Sequence, residues 1–125
     1  MNIHGCLELA RQVSLKSEFK VKVGVVIVKG NRVLSFGYNQ IRHLSRGVVK
    51  YSAFSHSAHA ERIACSKVER NKLKGATIFI SRSFKDGMPA LAAPCNDCLN
   101  LIKDMKIAKV VYTIADFPFY EIVKL

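Results

Sequence analysis

The chain has 125 residues, half of them hydrophobic, and a mean hydropathy of +0.13. A mass of 14.0 kDa suits one domain spanning residues 1–125, with one core, and excludes both a disordered chain and a pair of ordinary domains. No stretch approaches the ~20 uninterrupted apolar residues of a bilayer span, so no membrane is expected among the partners.

Twenty basic residues stand against nine acidic ones, a net charge of +11 that points to an anionic partner. Between Glu18 and Glu61 there is no acid, while Lys20, Lys22, Lys29, Arg32, Arg42, Arg46 and Lys50 all lie there. Like charges kept together cost stability unless something anionic offsets them, so a phosphate is expected near this stretch, against the plain alternative of a solvated face. The amino terminus shows no basic leader, apolar h-region or cleavage site, and a reducing cytoplasmic setting is expected. Cysteines there serve as ligands or core and not as bridges. Cys6 and Cys65 fall inside amphipathic patterns and read as core, whereas Cys95 and Cys98 stand at ligand spacing directly after Pro94.

In chain order, residues 3–15 carry Ile3, Cys6, Leu7, Ala10 and Val13 at helical intervals behind Asn2, an N-cap residue. Residues 21–29 and 32–38 read as a hairpin closed by Gly30 and Asn31. A polar and basic connection, 39–57, leads to a helix over 59–70 with Ala60, Ile63, Ala64 and Val68 on one face, and Gly75 ends the segment that follows. Residues 76–81 predict a short strand, 82–93 a loop, 95–105 a helix burying Leu99, Ile102 and Met105, and 107–114 a further strand. Phe79, Tyr112, Phe117 and Phe119 follow strand alternation and are expected in the core. Strands alternating with helices predict parallel crossovers, hence a three-layer α/β/α sandwich on a five-stranded mixed sheet with the first hairpin at one edge. After residue 115 too few residues remain for a crossover helix before 119–125, so the last strand is expected to run antiparallel to the fourth.

The chemistry concentrates in two helix starts. His59 opens one, and Cys95 and Cys98 open the other. A Cys-x-x-Cys pair entering a helix turns both sulfurs toward one point, where the helix dipole favours the thiolates that zinc needs. His59 adds a neutral nitrogen. Three protein ligands leave the fourth position of a Zn2+ ion to water, which separates a catalytic site from a closed structural one. Glu61, two residues after His59, then reads as the group that handles the protons of that water.

His59-Ala60-Glu61 followed by Pro94-Cys95-Asn96-Asp97-Cys98 resembles the cytidine and deoxycytidylate deaminase superfamily. The resemblance extends from the first strand through Gly37-Tyr38-Asn39 to Lys109-Val110-Val111-Tyr112, although Ala90-Leu91-Ala92-Ala93 departs from the family's usual approach to its Pro-Cys. It implies hydrolytic deamination of a cytosine nucleotide or nucleoside, with release of ammonia, by a homo-oligomer. It also implies that Asn39 contacts the sugar and the backbone amide of Ala60 the base carbonyl, and Arg42, Arg46 or Lys50 then lies near a substrate phosphate.

Two other readings compete. A polynucleotide deaminase acting on tRNA adenosine or single-stranded cytosine would use the +11 charge as its electrostatic footprint and Tyr51, Phe54 or Phe84 for stacking. A nucleic-acid-binding module with structural zinc would need a fourth ligand, for which His56 is the nearby candidate, and would leave Glu61 without a task. His4 and His43 read as surface residues.

Overall fold

A computed structural model of the chain describes residues 2–41 and 57–125. Helix α1 (Ile3–Ser14) begins where the Asn2 side-chain oxygen accepts the Gly5 N–H, and it buries Cys6, Leu7, Ala10 and Val13 on one face. Strands β1 (Val23–Lys29) and β2 (Arg32–Tyr38) form the expected hairpin. Two-residue strands β3 (Gln40–Ile41) and β4 (Ser57–Ala58) pair with each other and lead into α2 (Ala60–Ser66). The remaining elements are α3 (Arg70–Leu73), β5 (Thr77–Ser83), β6 (Pro89–Ala90), α4 (Asn96–Asp104), β7 (Lys109–Thr113) and β8 (Tyr120–Lys124).

The main sheet runs β2-β1-β5-β7-β8, with β6 added beside β5. Strand β1 is antiparallel to both neighbours, β5 and β7 are parallel, and β8 returns antiparallel to β7 as the short connection requires. Alternation along the strands divides the core in two. Val25, Ile27, Ile78, Ile80 and Val110 face α2 and α4, while Val26, Val28, Phe79 and Val111 face α1. Burying side chains as large as Ile27, Ile78, Ile80 and Ile102 contributes about 1.5–3 kcal/mol each, so the layer of α2 and α4 is held chiefly by this apolar contact. Gly24 lets α1 settle on the sheet, because a Cβ there would stand 1.9 Å from the Ala10 carbonyl oxygen.

Four expectations need correction. The sheet has six strands and not five, because part of the 82–93 segment is strand: β5 runs on to Ser83 and β6 folds back so that Ala90 opposes Arg82. The helix over 59–70 is broken in two. Lys67 and Val68 donate to the carbonyls of Ala64 and Cys65, a tightened last turn, and the break brings Leu73 into full burial beside Ala64 and Cys65. On α4, Cys98 takes the inward position beside the buried Ile102; Leu101 and Met105, both half-buried, pack against the core, and Leu99 is half-buried without joining that cluster. Phe117 is 84% exposed, since it sits in the turn before β8, where strand alternation does not operate; Phe79 is buried, and Tyr112 and Phe119 are half-buried. Among the described residues no helix is long and apolar enough to cross a membrane.

Candidate metal centre and active site

Both helices that carry the motif residues start at the same place. His59 is the N-cap of α2 and Cys95 the N-cap of α4, each with extended backbone, and Cys98 follows within the first turn of α4. Strand β2 positions the first of these helices. A Cβ on Gly37 would lie 2.8 Å from the Ala60 carbonyl oxygen and 2.9 Å from the Ala64 nitrogen, so only glycine permits this approach. The buried Ser35 hydroxyl donates to the Ala64 carbonyl at 2.7 Å, and Lys67 Nζ donates to the Phe36 carbonyl at 2.8 Å. The second helix is fixed from β7. Thr113 Oγ1 donates to the Ala90 carbonyl at 2.7 Å and accepts the Arg82 N–H at 3.1 Å, while the Ala92 N–H donates to the Thr113 carbonyl at 2.9 Å. Those bonds hold the strand that delivers Pro94 and Cys95.

The result is a compact donor group. His59 Nδ1 lies 3.2 Å from Cys98 Sγ and 3.7 Å from Cys95 Sγ, and the three ligand atoms all lie within 4.8 Å of one another. A tetrahedral zinc with Zn–S of about 2.3 Å and Zn–N of about 2.0–2.1 Å separates nitrogen from sulfur by about 3.6 Å, so the residues present fit that ion. Cys98 is fully buried, His59 half-buried and Cys95 exposed, which leaves the group open on one side. Burial first, then the Glu61 carboxylate and Cys95, push the Cys98 thiol well up. A cation among the ligands opposes all three effects, as a thiolate-binding metal does. Among the described residues the group has these three members and no fourth; His56 lies outside them.

Glu61 is the second residue of α2 and only 6% exposed. Its burial raises the carboxyl above the usual range, with a hydrogen bond to its own backbone and the nearby His59 as smaller opposing effects. The Ala60 backbone amide is the first of α2 and has no helical partner by position. Asn39 stands at the end of β2 with its side chain engaged. Its Oδ1 accepts the Val23 N–H at 3.0 Å and its Nδ2 donates to the Val21 carbonyl at 2.7 Å. Arg42, Arg46, Lys50, Tyr51 and Phe54 lie outside the described residues, and Phe84 is exposed on the β5–β6 hairpin. A cavity of about 570 Å³ runs along α4 past Arg62, Asp97 and Lys103 and includes no member of the metal group.

Gly37, Ser35 and Thr113 are supporting residues to which the sequence reading gave no such role. Gly37 was legible only as part of the Gly37-Tyr38-Asn39 motif, and nothing local marks Thr113, whose partners Ala90 and Arg82 become neighbours only when β6 folds back.

A family model for the cytidine and deoxycytidylate deaminase zinc-binding region matches residues 2–114. The deoxycytidylate deaminase of Mycobacterium phage D29 is 35% identical over 108 residues, covering 73% of this chain and 77% of the phage protein. Among solved structures, the dCMP deaminase of cyanophage S-TIM5 in complex with dCMP and dUMP is 26% identical with a TM-score of 0.56, covering 86% of this chain and 75% of that one. Cytidine deaminase from Burkholderia pseudomallei, 20% identical, shares the fold with a TM-score of 0.68, over 99% of this chain and 93% of that one. Sequence match and site geometry agree, and the chain belongs to the cytidine and deoxycytidylate deaminase family, as a zinc-dependent hydrolytic deaminase.

Proposed function

We propose that the substrate is a free cytosine nucleotide of the deoxycytidylate class, converted to the uracil nucleotide with release of ammonia. The observation that carries this reading is the meeting of His59, Cys95 and Cys98 at two helix starts with the buried Glu61 on the first turn of one of them. The likeness to the phage deoxycytidylate deaminase favours a mononucleotide over a polynucleotide.

His59 Nδ1, Cys95 Sγ and Cys98 Sγ would hold the metal. Bound zinc supplies Lewis acidity that makes water a nucleophile near neutral pH. Glu61 would carry one proton from the attacking water to the ring nitrogen, and then a second, from the hydroxyl of the tetrahedral adduct, to the departing amine. A carboxyl raised by burial suits this exchange, because its affinity for the proton lies closer to the working pH than that of an exposed glutamate. The Ala60 N–H donates to the base carbonyl. Asn39 keeps one N–H and one lone pair after its bonds to Val21 and Val23, and these meet a sugar hydroxyl. Arg42 and Arg46, outside the described residues, are assigned to the phosphate from the charge of their acid-free segment, and a second copy of the chain completes the pocket.

The test is ammonia release from dCMP, CMP, deoxycytidine, cytidine, single-stranded DNA and tRNA, offered in parallel to the zinc-loaded protein. Turnover of dCMP well above the nucleosides supports the reading. Turnover confined to the polynucleotides overturns it.

A further inference from the structure

The end of the sheet away from the metal group carries a cluster of exposed cations with no ion pair among the described residues. Cys95 is delivered at the carboxyl ends of β5 and β7, where Asp86, Asp97 and Asp116 also lie, in the β5–β6 turn, at the start of α4 and in the β7–β8 turn. At the other end of the same strands, Lys29 directly opposes Arg32 across β1 and β2, and Lys109 directly opposes Lys124 across β7 and β8. All four are exposed, as is Lys74 just before β5. Like charges directly opposed on neighbouring strands destabilise a sheet, and here one such pair closes the β1–β2 ladder while the other, one register row further in, lies at the end of the β7–β8 ladder. The ion pairs among the described residues are Arg11 with Glu8 and Arg70 with Asp104, so no acid offsets this cluster. Of the acids toward this end, Asp104 is engaged by Arg70, and Glu69, exposed at the start of α3, makes no ion pair among the described residues. Between the two pairs a cavity of about 170 Å³ is lined by Lys29, Lys109, Gly30, Gly75 and Thr77 above an apolar floor.

We propose that this end is a docking surface for the phosphate backbone of nucleic acid, separate from the site of deamination and indifferent to base sequence. The paired cations stand on strands about 4.8 Å apart, so from β2 to β8 they spread over roughly 19 Å, enough to meet several consecutive phosphates. Held on the end of a sheet and not on an amphipathic helix with an apolar face to insert, the cluster matches a linear polyanion better than a membrane surface. Cations that repel one another when free gain most from a partner that neutralises them together and releases its condensed counterions.

The experiment uses the full zinc-loaded chain and a labelled mixed-sequence single-stranded oligonucleotide of about thirty nucleotides, read by fluorescence anisotropy across a salt series. Affinity should fall linearly with salt on logarithmic axes. Lys109→Glu and Lys124→Glu should each lower that slope by about one and weaken binding on the order of tenfold, while Lys103→Glu on α4 leaves it unchanged. Deamination of dCMP in the same samples should match the parent protein, and excess dCMP should not displace the oligonucleotide. Lys109→Glu should also raise Tm by removing the repulsion with Lys124, an outcome that misfolding cannot imitate; Lys109→Gln serves as the milder variant. Absence of binding at low salt, unchanged binding by the Lys109 and Lys124 variants, displacement by dCMP, or preference for phosphatidylserine vesicles would each overturn the proposal. Loss of deamination with binding intact would count against the substrate assignment and not against this surface.

Discussion

His59 Nδ1 lies 3.2 Å from Cys98 Sγ although 39 positions separate the two residues in the chain. Each stands within the first turn or cap of its own helix, and no local force joins them. Their contact depends on two separate supports, Gly37 and Ser35 beneath α2 and Thr113 behind the strand that leads to α4.

Removal of the metal should test that contact first. The purified protein is expected to carry one zinc per chain, and chelation should lower Tm, because an ion bound only by the folded state at a hundred times its Kd stabilises by about 2.7 kcal/mol. Cys98→Ala should lose both zinc and deamination. Metal analysis showing undiminished zinc in that variant would contradict the ligand assignment.

Glu61→Gln keeps the shape of the side chain and removes its proton chemistry. Zinc content should be retained while kcat falls by about 10²–10⁴-fold, the usual contribution of a positioned acid–base group. Survival of parental kcat would show that protons travel by another route.

Gly37→Ala places a methyl group 2.8 Å from the Ala60 carbonyl oxygen and 2.9 Å from the Ala64 nitrogen, both backbone atoms. Helix α2 must shift, at about 1–3 kcal/mol, and His59 and Glu61 move with it. Denaturant unfolding should report the stability loss and zinc titration a weaker site. An unchanged Tm would mean that α2 is not held against β2 as described.

Thr113→Val keeps the volume but leaves the Ala90 carbonyl and the Arg82 N–H without their shared partner. The expected loss is about 1–3 kcal/mol, with zinc affinity reduced through Cys95 and restored by Thr113→Ser. Failure of serine to restore it would assign the effect to packing alone.

The thiols divide by environment. Burial, aided by the Glu61 charge, pushes Cys65 up to about 11, and burial likewise raises Cys6. A raised thiol stays protonated, so at pH 8 neither should react with iodoacetamide in the folded protein, and Cys65 should gain thiolate only as the pH climbs toward 11. Mass spectrometry of the native zinc-loaded protein should find both unmodified, and rapid labelling of Cys65 at pH 8 would refute its burial.

Local chemistry was enough to read the helix opened by Asn2, the Gly30-Asn31 hairpin, the antiparallel return of the last strand and the identity of the metal group, because caps, two-residue turns, short connections and ligand spacing act within a few residues of chain. The sequence by itself therefore determined the family, the layer order and the reaction. Only the tertiary structure decided how the site is held. The break between α2 and α3, the sixth strand, the inward phase of α4 on Cys98 and the bonds from Thr113 all follow from surfaces that meet after the chain has folded back, where burial and hydrogen-bond partners from distant positions outweigh local preference.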